Sequence, residues 1–493
     1  MKRSKTSIFK ILFVLVLMIT ITCPMAMAQT RTDSISAYIK EEMIKRNIPG
    51  LQLAIIWKGK IELIKSYGFA NIENRVSVTD STLFSINSAT KAFTGVAIMQ
   101  LVEQGLIDLD GPLSGYLDSL PAGWRAIKIK HLLTHTSGLL DFVDTRKGGF
   151  VGGMKYQDAI KSIRDYPMEF APGTQMRYNQ TNYVLLGQLI EKLSGKPFEQ
   201  FISERQFIPS GMSKTGFGDS RDVIMDKAPT YRVSRNTERD FIKGKTLERT
   251  WEEFPELRST AGINSSAPEL AKWIISLQNA TLLKPQTLKA MWEAGRFNDG
   301  SYSGWAQGWV AKRNTFPRAV AGIGGSRSWF YVYPEQELSV IVLSNLSTSQ
   351  PEDLAPEVAG FYYPQLKSAN GGSLPESVLA LRLLLEKQGY KKAIMLNERM
   401  RKKDAKSIMT QRDLTNWGYY LLLLQNRPNE AIEIFKLYAH LYPKDSDAWE
   451  GLAKGYKATG DNQNAIIFFQ KTLQLDPNNV NAIQKLKDLK EKN

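Results

Sequence analysis

An α+β domain followed by an all-α helical-repeat domain is the architecture this 493-residue sequence predicts. Three observations carry that expectation. Strand-like segments lie at both ends of the first two thirds of the chain, with helix-like segments between them, as in a sheet closed by distant parts of the sequence. After Pro375 the strand signals stop and helical periodicity takes over. Within that tail, matching residues recur 34 positions apart. Hydrophobic residues are 43% and charged residues 23%, which excludes a largely disordered chain and a multi-span membrane protein.

The first 28 residues read as a leader rather than as structure. Lys2, Arg3, Lys5 and Lys10 precede an apolar run from Ile11 to Ile21, and Ala26-Met27-Ala28 is a small-x-small cleavage site. The run spans only about 16 Å as a helix, too short for a bilayer core of about 30 Å. The expectation is an exported protein, periplasmic or extracellular, with no transmembrane span once the leader is gone. The rival is a lipoprotein modified at Cys23, although Thr22 is larger than such sites usually accept. The formal charge of +15 falls to +11 without the leader's four cations. Cys23 is the single cysteine, so a chain starting at Gln29 has no disulfide, thiolate nucleophile or cysteine-based metal site.

Within residues 29–366, Leu51–Trp57 and Lys60–Tyr67 read as two strands turning at Lys58-Gly59. Thr90–Glu103 reads as a helix, with Phe93, Val96, Ala97 and Leu101 on one side and Gly105 as a stop. Val184–Leu193, closed by Gly195, and Glu269–Gln278, behind the cap candidates Ser265 and Ser266, are two more helices. Trp329–Tyr333 and Leu338–Leu343 form a late hairpin turning at Pro334-Glu335. Residues 367–375 are a short flexible linker.

In residues 376–493, Pro443 and Pro477, Ala431 and Ala465, and Phe435 and Phe469 share the 34-residue spacing, and Trp449, Ala453 and Tyr456 fill first-helix positions. This resembles the tetratricopeptide repeat, in which small residues let paired helices approach and proline ends the second helix. Leu379–Met400 is a degenerate earlier pair and Val480–Lys490 a capping helix. One helix pair cannot bury its apolar face alone, so about three stacked units are needed.

The sharpest chemical signal is Ser88-Ala89-Thr90-Lys91. A helix starting near Ser88 puts Lys91 one turn on, on the same face. A serine at a helix N-terminus sits in a positive backbone field that favours developing oxyanion charge. A neighbouring amine, if desolvated enough to be neutral, can take the hydroxyl proton. By itself an S-x-x-K is common, and its bland reading is a helix-start serine beside a solvated lysine.

The setting changes that balance. Ile48-Pro49-Gly50, Gly68, Phe84, Ser88 and Lys91 are followed in order by His131-Leu132-Leu133-Thr134-His135-Thr136-Ser137-Gly138, Pro172-Gly173-Thr174, Tyr183-Val184-Leu185-Leu186-Gly187, Gly211-Met212 and Val342-Leu343-Ser344-Asn345. This series resembles the serine β-lactamase and penicillin-binding-protein superfamily, best its class C β-lactamase, D-alanyl-D-alanine carboxypeptidase and esterase branch, over roughly residues 35 to 350. The resemblance implies a β-lactamase/transpeptidase-like fold: a five-stranded antiparallel sheet flanked by helices, plus a helical lobe, with the site between them. It implies Ser88 as acylated nucleophile, Lys91 as its proton partner and Tyr178 as a shuttle to the leaving group, with the base left open between Tyr178 and Lys91. The family's Tyr-x-Asn is here Tyr178-Asn179-Gln180, so Gln180 takes the substrate-contacting place with one extra methylene. The family's Lys-Thr-Gly or His-x-Gly strand aligns with Gly322-Ile323-Gly324, which lacks the cation that holds a substrate carboxylate. Gly324 and Gly325 suit close backbone approach to a ligand, and the amides of Ser88 and Gly325 would form the oxyanion hole. Arg327 is the candidate to return a positive charge, its direction open.

Two further features bear on function. His131 and His135, at i and i+4 on an expected helix, have a metal-binding spacing but no accompanying H-E-x-x-H glutamate, and no metal or other cofactor is expected. The run Arg399-Met400-Arg401-Lys402-Lys403 is a solvated helix face rather than a nucleic-acid site in an exported protein. The expected function is an exported serine hydrolase acting through an acyl-enzyme on an ester or amide, weak on carboxylate-bearing β-lactams. Its substrate is a small molecule or peptide, and the repeats are left to a protein or cell-wall partner. The rival is a catalytically degenerate, penicillin-binding-like sensor or scaffold working through its repeats. Retention of Ser88, Lys91 and Tyr178 argues for the enzyme; the changes at Gln180 and Gly322 argue for the sensor.

Overall fold

The computed structural model describes residues 29–142, 156–233, 247–252, 257–312, 318–347, 349–367, 376–403, 409–419, 421–422, 427–477 and 479–490. The leader and the linker positions 368–375 lie outside these residues. Among the described residues no helix is long and apolar enough to cross a membrane.

The first domain is organised by an antiparallel sheet. Its order is Val76–Ser77, Lys60–Asn71, Gly50–Trp57, Leu338–Ser344, Ser328–Tyr333, Ala319–Gly324, Val310–Lys312. Five longer strands match the expected sheet, and the two short edge strands bring the total to seven. The turn between the first two long strands puts Lys58 and Gly59 at φ of 51° and 73°, the left-handed pair that a two-residue hairpin needs. The first long strand pairs with the last, Leu51 opposite Ser344 and Trp57 opposite Leu338, so the chain's ends close the sheet. Both strands are buried on both faces, which is why they read as continuous apolar runs instead of alternating ones.

One face carries Leu51, Leu53, Ile55, Val340 and Val342 against Ile35 and Ile39 of helix 29–46 and Leu354 and Val358 of helix Pro351–Ala359. The other carries Ala54, Ile56, Ile341 and Leu343 into a larger core with helices Thr90–Glu103 and Ala267–Gln278. Thr90–Glu103 has the expected bounds, yet it is buried on all sides from Thr90 to Leu101, so its one-sided reading fails. Gly95 makes that enclosure possible, since a Cβ there would lie 2.4 Å from the Gln307 carbonyl oxygen. The helix expected at Val184–Leu193 runs from Gln180 to Ser194 and ends, as expected, at Gly195 in the left-handed region. Ser266 caps Ala267–Gln278 by accepting from the Glu269 amide at 3.4 Å.

The helical segment contains Glu376–Gln388, Ala393–Lys403, Gln411–Tyr419, Pro428–Leu441, Ser446–Ala458, Asn462–Leu475 and Val480–Lys490. Small residues do set the helix spacing: a Cβ on Gly418 or Gly451 would come within 2.5 and 2.3 Å of the Phe435 ring. Arg399, Arg401, Lys402 and Lys403 are exposed at the end of their helix, where cations complement the backbone dipole. Among the described residues, the buried clusters of 376–490 contain none before Val378, and those of the sheet domain none after Leu366. Residues 29–366 expressed alone are therefore expected to fold, with a melting temperature within a few degrees of that unit in the full chain. A molten or aggregated product by circular dichroism and gel filtration would mean the two parts share their stability.

Candidate active site

A small antiparallel sheet delivers the central serine. Phe84–Ser85 pairs with Ile263–Ser265, which also pairs with Gly216–Phe217. Beyond Ser85 the chain turns through a 3-10 segment, Asn87–Ala89, before the helix begins at Thr90. Asn87 has φ of 52°, a conformation disfavoured for a residue with a side chain, and it presents Ser88 half-buried at the turn.

Lys91 sits one turn on and is 1% exposed. Its Nζ lies 3.3 Å from Ser88 Oγ, 2.8 Å from Gln180 Oε1 and 3.0 Å from the Thr260 carbonyl oxygen. Burial drives its pKa down from 10.5 to about 7, a shift opposed by the nearby Asp141 carboxylate. As an ammonium, Lys91 donates to all three oxygens. As a neutral amine it keeps two N–H groups, which Gln180 and Thr260 can accept, and its lone pair is left facing the Ser88 hydroxyl.

Tyr178 lies under the lysine, its ring centre 5.0 Å from Lys91 Nζ. The ring is held by His135 at 4.5 Å and Trp305 at 5.5 Å. His135 is fully buried and its pKa is pushed well down, chiefly by burial and then by Lys91. Its Nδ1 accepts the Asn179 amide at 3.1 Å. The expected helix under both histidines ends at Leu133, and His135 follows it with φ of 58°. The two imidazoles thus lose the shared helical face that gave them a metal-ligand spacing.

Gln180, rather than Asn179, faces the lysine. The Asn179 side chain is buried and donates to the Leu139 carbonyl. Gln180 is the first residue of its helix and its amide donates to Asp141 Oδ1 at 3.3 Å. The extra methylene relative to asparagine is thus used to reach Lys91 Nζ.

Across from the serine turn, the end of strand Ala319–Gly324 comes into backbone contact with it. A Cβ on Gly324 would lie 1.8 Å from the Ile86 carbonyl oxygen and 3.2 Å from the Ala89 nitrogen. Gly325 is exposed, has φ of 56°, and would place a Cβ 2.7 Å from Asn87 Nδ2. The Ser88 and Gly325 turns therefore face each other.

Gly322 and Arg327 occupy other ground. A Cβ on Gly322 would lie 2.0 Å from Phe330 Cζ, a ring buried in the core, so this position has no room for any side chain. The Phe330 ring occupies the space that a cationic side chain at this position would need. Arg327 is 2% exposed, and its Nη2 donates to Glu252 Oε2 at 2.7 Å. It is committed to a buried ion pair and presents no cation to the cleft.

Sequence reasoning passed over Asp141, Thr260 and Trp305, and took His135 as part of a motif loop with a metal-ligand spacing but not as a ring packed on Tyr178. Thr260 acts through its carbonyl, which no side-chain pattern reveals. Asp141 directly follows the quoted His131–Gly138 stretch and Leu139-Leu140, and its proximity to Gln180 depends on how that loop folds back.

The chain is similar to known proteins in sequence and in fold. A profile of the Beta-lactamase family matches residues 35–361. Protein flp of Staphylococcus aureus (strain MW2) is 25% identical over 327 residues, covering 64% of this chain and 63% of its own length. The chain thus spans under two thirds of the curated relatives of that group. Among solved structures, the octameric penicillin-binding protein homologue from Pyrococcus abyssi is 26% identical with a TM-score of 0.58, covering 72% of this chain and 82% of its own. The penicillin-binding protein from Bacillus halodurans is also 26% identical, with a TM-score of 0.53 and coverage of 62% and 94%.

Proposed function

This chain belongs to the Beta-lactamase family, and from that premise we propose that it is an exported serine hydrolase that forms an acyl-enzyme at Ser88 on ester or amide substrates. The observation that carries the reading is the buried Lys91, with its lowered pKa and with Ser88 Oγ 3.3 Å from its Nζ. A desolvated amine whose lone pair faces a serine hydroxyl is the arrangement that general-base activation of a nucleophile requires.

In the proposed reaction Ser88 Oγ gives its proton to neutral Lys91 and bonds to the acyl carbon. The Ser88 and Gly325 amides receive the oxyanion. The C–O or C–N bond then breaks, and the leaving group takes the proton that Lys91 accepted. Water repeats the sequence on the acyl-enzyme and frees Ser88. Tyr178, its ring centre 5.0 Å from Lys91 Nζ, is the proposed shuttle that passes this proton to the leaving group. The leader sequence supports export.

The test is intact-mass spectrometry after incubation with a fluorophosphonate. One adduct is expected on the wild type and none on Ser88→Ala. A wild-type protein that stays unlabelled while remaining folded would overturn the acyl-enzyme reading.

Substrate charge follows from Gly322 and Arg327. With Phe330 filling the one position and Glu252 holding the other, neither supplies a partner for a substrate carboxylate. A charge-assisted hydrogen bond contributes about 1.5–3 kcal/mol, roughly tenfold to a hundredfold in binding. Neutral acyl esters and amides are thus the proposed class, ahead of penicillins and free D-alanyl-D-alanine ends. A methyl ester is expected to exceed its free acid in kcat/KM by about tenfold or more. A preference for the free acid would sink this assignment.

A further inference from the structure

We propose that Arg327 is a positioning residue that, through Ser85 and Glu252, holds together the two turns supplying the oxyanion-binding amides. The proposal rests on the acyl-enzyme reading above. Arg327 closes the turn that presents Gly325, since its amide donates to the Gly324 carbonyl at 3.1 Å. Its side chain reaches the segment feeding the serine turn: Nη2 lies 3.4 Å from Ser85 Oγ and Nε 3.5 Å from the Ser85 carbonyl oxygen. Ser328, the next residue, donates from Oγ to that same carbonyl at 3.1 Å. Ser85 is three residues before Ser88.

The far side of the guanidinium is fixed by Glu252, with both carboxylate oxygens at 2.7 Å from Nη2. Glu252 is itself tied down by reciprocal backbone contacts with Ser220, at 2.8 Å to its carbonyl and 2.9 Å from its amide to Ser220 Oγ. The Gly325 turn is also gripped from outside, where Ser349 Oγ and the Gln350 amide each donate to the Ser326 carbonyl at 3.1 Å. Both amides must aim at one oxygen, and a displacement of about 1 Å in such a site costs on the order of a hundredfold in rate. A buried guanidinium spanning the two turns suits that demand, because its planar fork is rigid and always charged.

Stability and positioning can be separated. Removing one partner of a buried ion pair leaves an uncompensated charge, whereas removing both relieves it. Arg327→Met and Glu252→Gln should each lower the melting temperature, and the double variant should recover part of the loss. Catalysis should behave otherwise. On a neutral ester, Arg327→Met and the double variant should both lose about tenfold to a hundredfold in kcat, with KM within about twofold and the ester-to-acid ratio unchanged. Fluorophosphonate labelling of Ser88 should slow in parallel, and Arg327→Lys should restore part of the rate. Should Arg327→Met fail to fold, the double variant and Ser85→Ala carry the same comparison. A double variant with wild-type kcat overturns the proposal. So does a change confined to KM for the free acid, which would make Arg327 a substrate contact. Normal wild-type labelling with unaffected variants overturns this role alone; an unlabelled wild type overturns the acyl-enzyme reading beneath it.

Discussion

Lys91→Met is expected to lower turnover by three or more orders of magnitude while leaving the protein folded. The substitution keeps an unbranched side chain, one atom shorter, and removes the base, a loss of about 10²–10⁴-fold for general-base catalysis alone. In the proposed reaction Ser88, Lys91 and Tyr178 act as a unit, so Ser88→Ala and Lys91→Met combined should cost little more than either one. The wild-type pH profile carries a second signature. The pKa of Lys91 is about 7 in the fold, and only the neutral amine accepts the serine proton. Acylation should therefore rise with pH through about 7 and then level off. Asp141 stabilises the ammonium, so Asp141→Asn should move that rise to lower pH. A rate that falls as pH climbs from 6 to 8 would exclude Lys91 as the base.

The same shift has a consequence for stability. The unfolded chain holds a proton on this lysine up to its ordinary value of 10.5, while the folded chain releases it near 7. Between those values the unfolded state binds more protons, so this group's contribution to stability increases with pH across that window and is least favourable below it. Lys91→Met should flatten the corresponding rise in melting temperature between pH 7 and 10, measured by differential scanning fluorimetry.

Gly324→Ala is the second large effect. A methyl group there meets the Ile86 carbonyl oxygen at 1.8 Å, and the obstacle is backbone that leads straight into the serine turn. Either the strand end or the turn must move, at a cost of about 3 kcal/mol, and a lowering of the melting temperature by roughly 5–10 °C is expected. Turnover should fall by about a hundredfold or more, since the Gly325 and Ser88 amides separate. Gly322→Ala gives the contrast. Its obstacle is the Phe330 side chain, which lies within the core, so Gly322→Ala combined with Phe330→Leu should recover stability. No single side-chain truncation should rescue Gly324→Ala. A Gly324→Ala protein with wild-type turnover would disprove the close approach of these two turns.

Much of this was legible in the residues themselves. The bounds of Thr90–Glu103 and Val480–Lys490, the Lys58-Gly59 hairpin and the Gly195 stop were all readable, because each depends on local chemistry: periodicity, positive φ and capping. The ordered motifs from Ile48 to Asn345 pointed to the family, and the family profile covers the same stretch. What failed locally failed for tertiary reasons. Thr90–Glu103 looked one-sided but is enclosed by core on every side from Thr90 to Leu101, and the helix expected to carry both His131 and His135 stops between them.

The sequence by itself determined which residues could do chemistry: a serine at a helix start, an amine one turn on, and a strand end reduced to glycine. Only the tertiary structure decided what each one faces. It buried Lys91 until its charge became costly, supplied Gln180 and a Thr260 carbonyl to aim its lone pair, and set Asp141 where its carboxylate favours the ammonium. It closed Gly322 with the Phe330 ring and turned Arg327 away from any substrate toward Glu252. The reason is physical. Residue type and spacing set local conformation over a few positions, whereas burial, lone-pair direction and charge pairing depend on partners brought together from 89, 169 and 75 positions away in the chain.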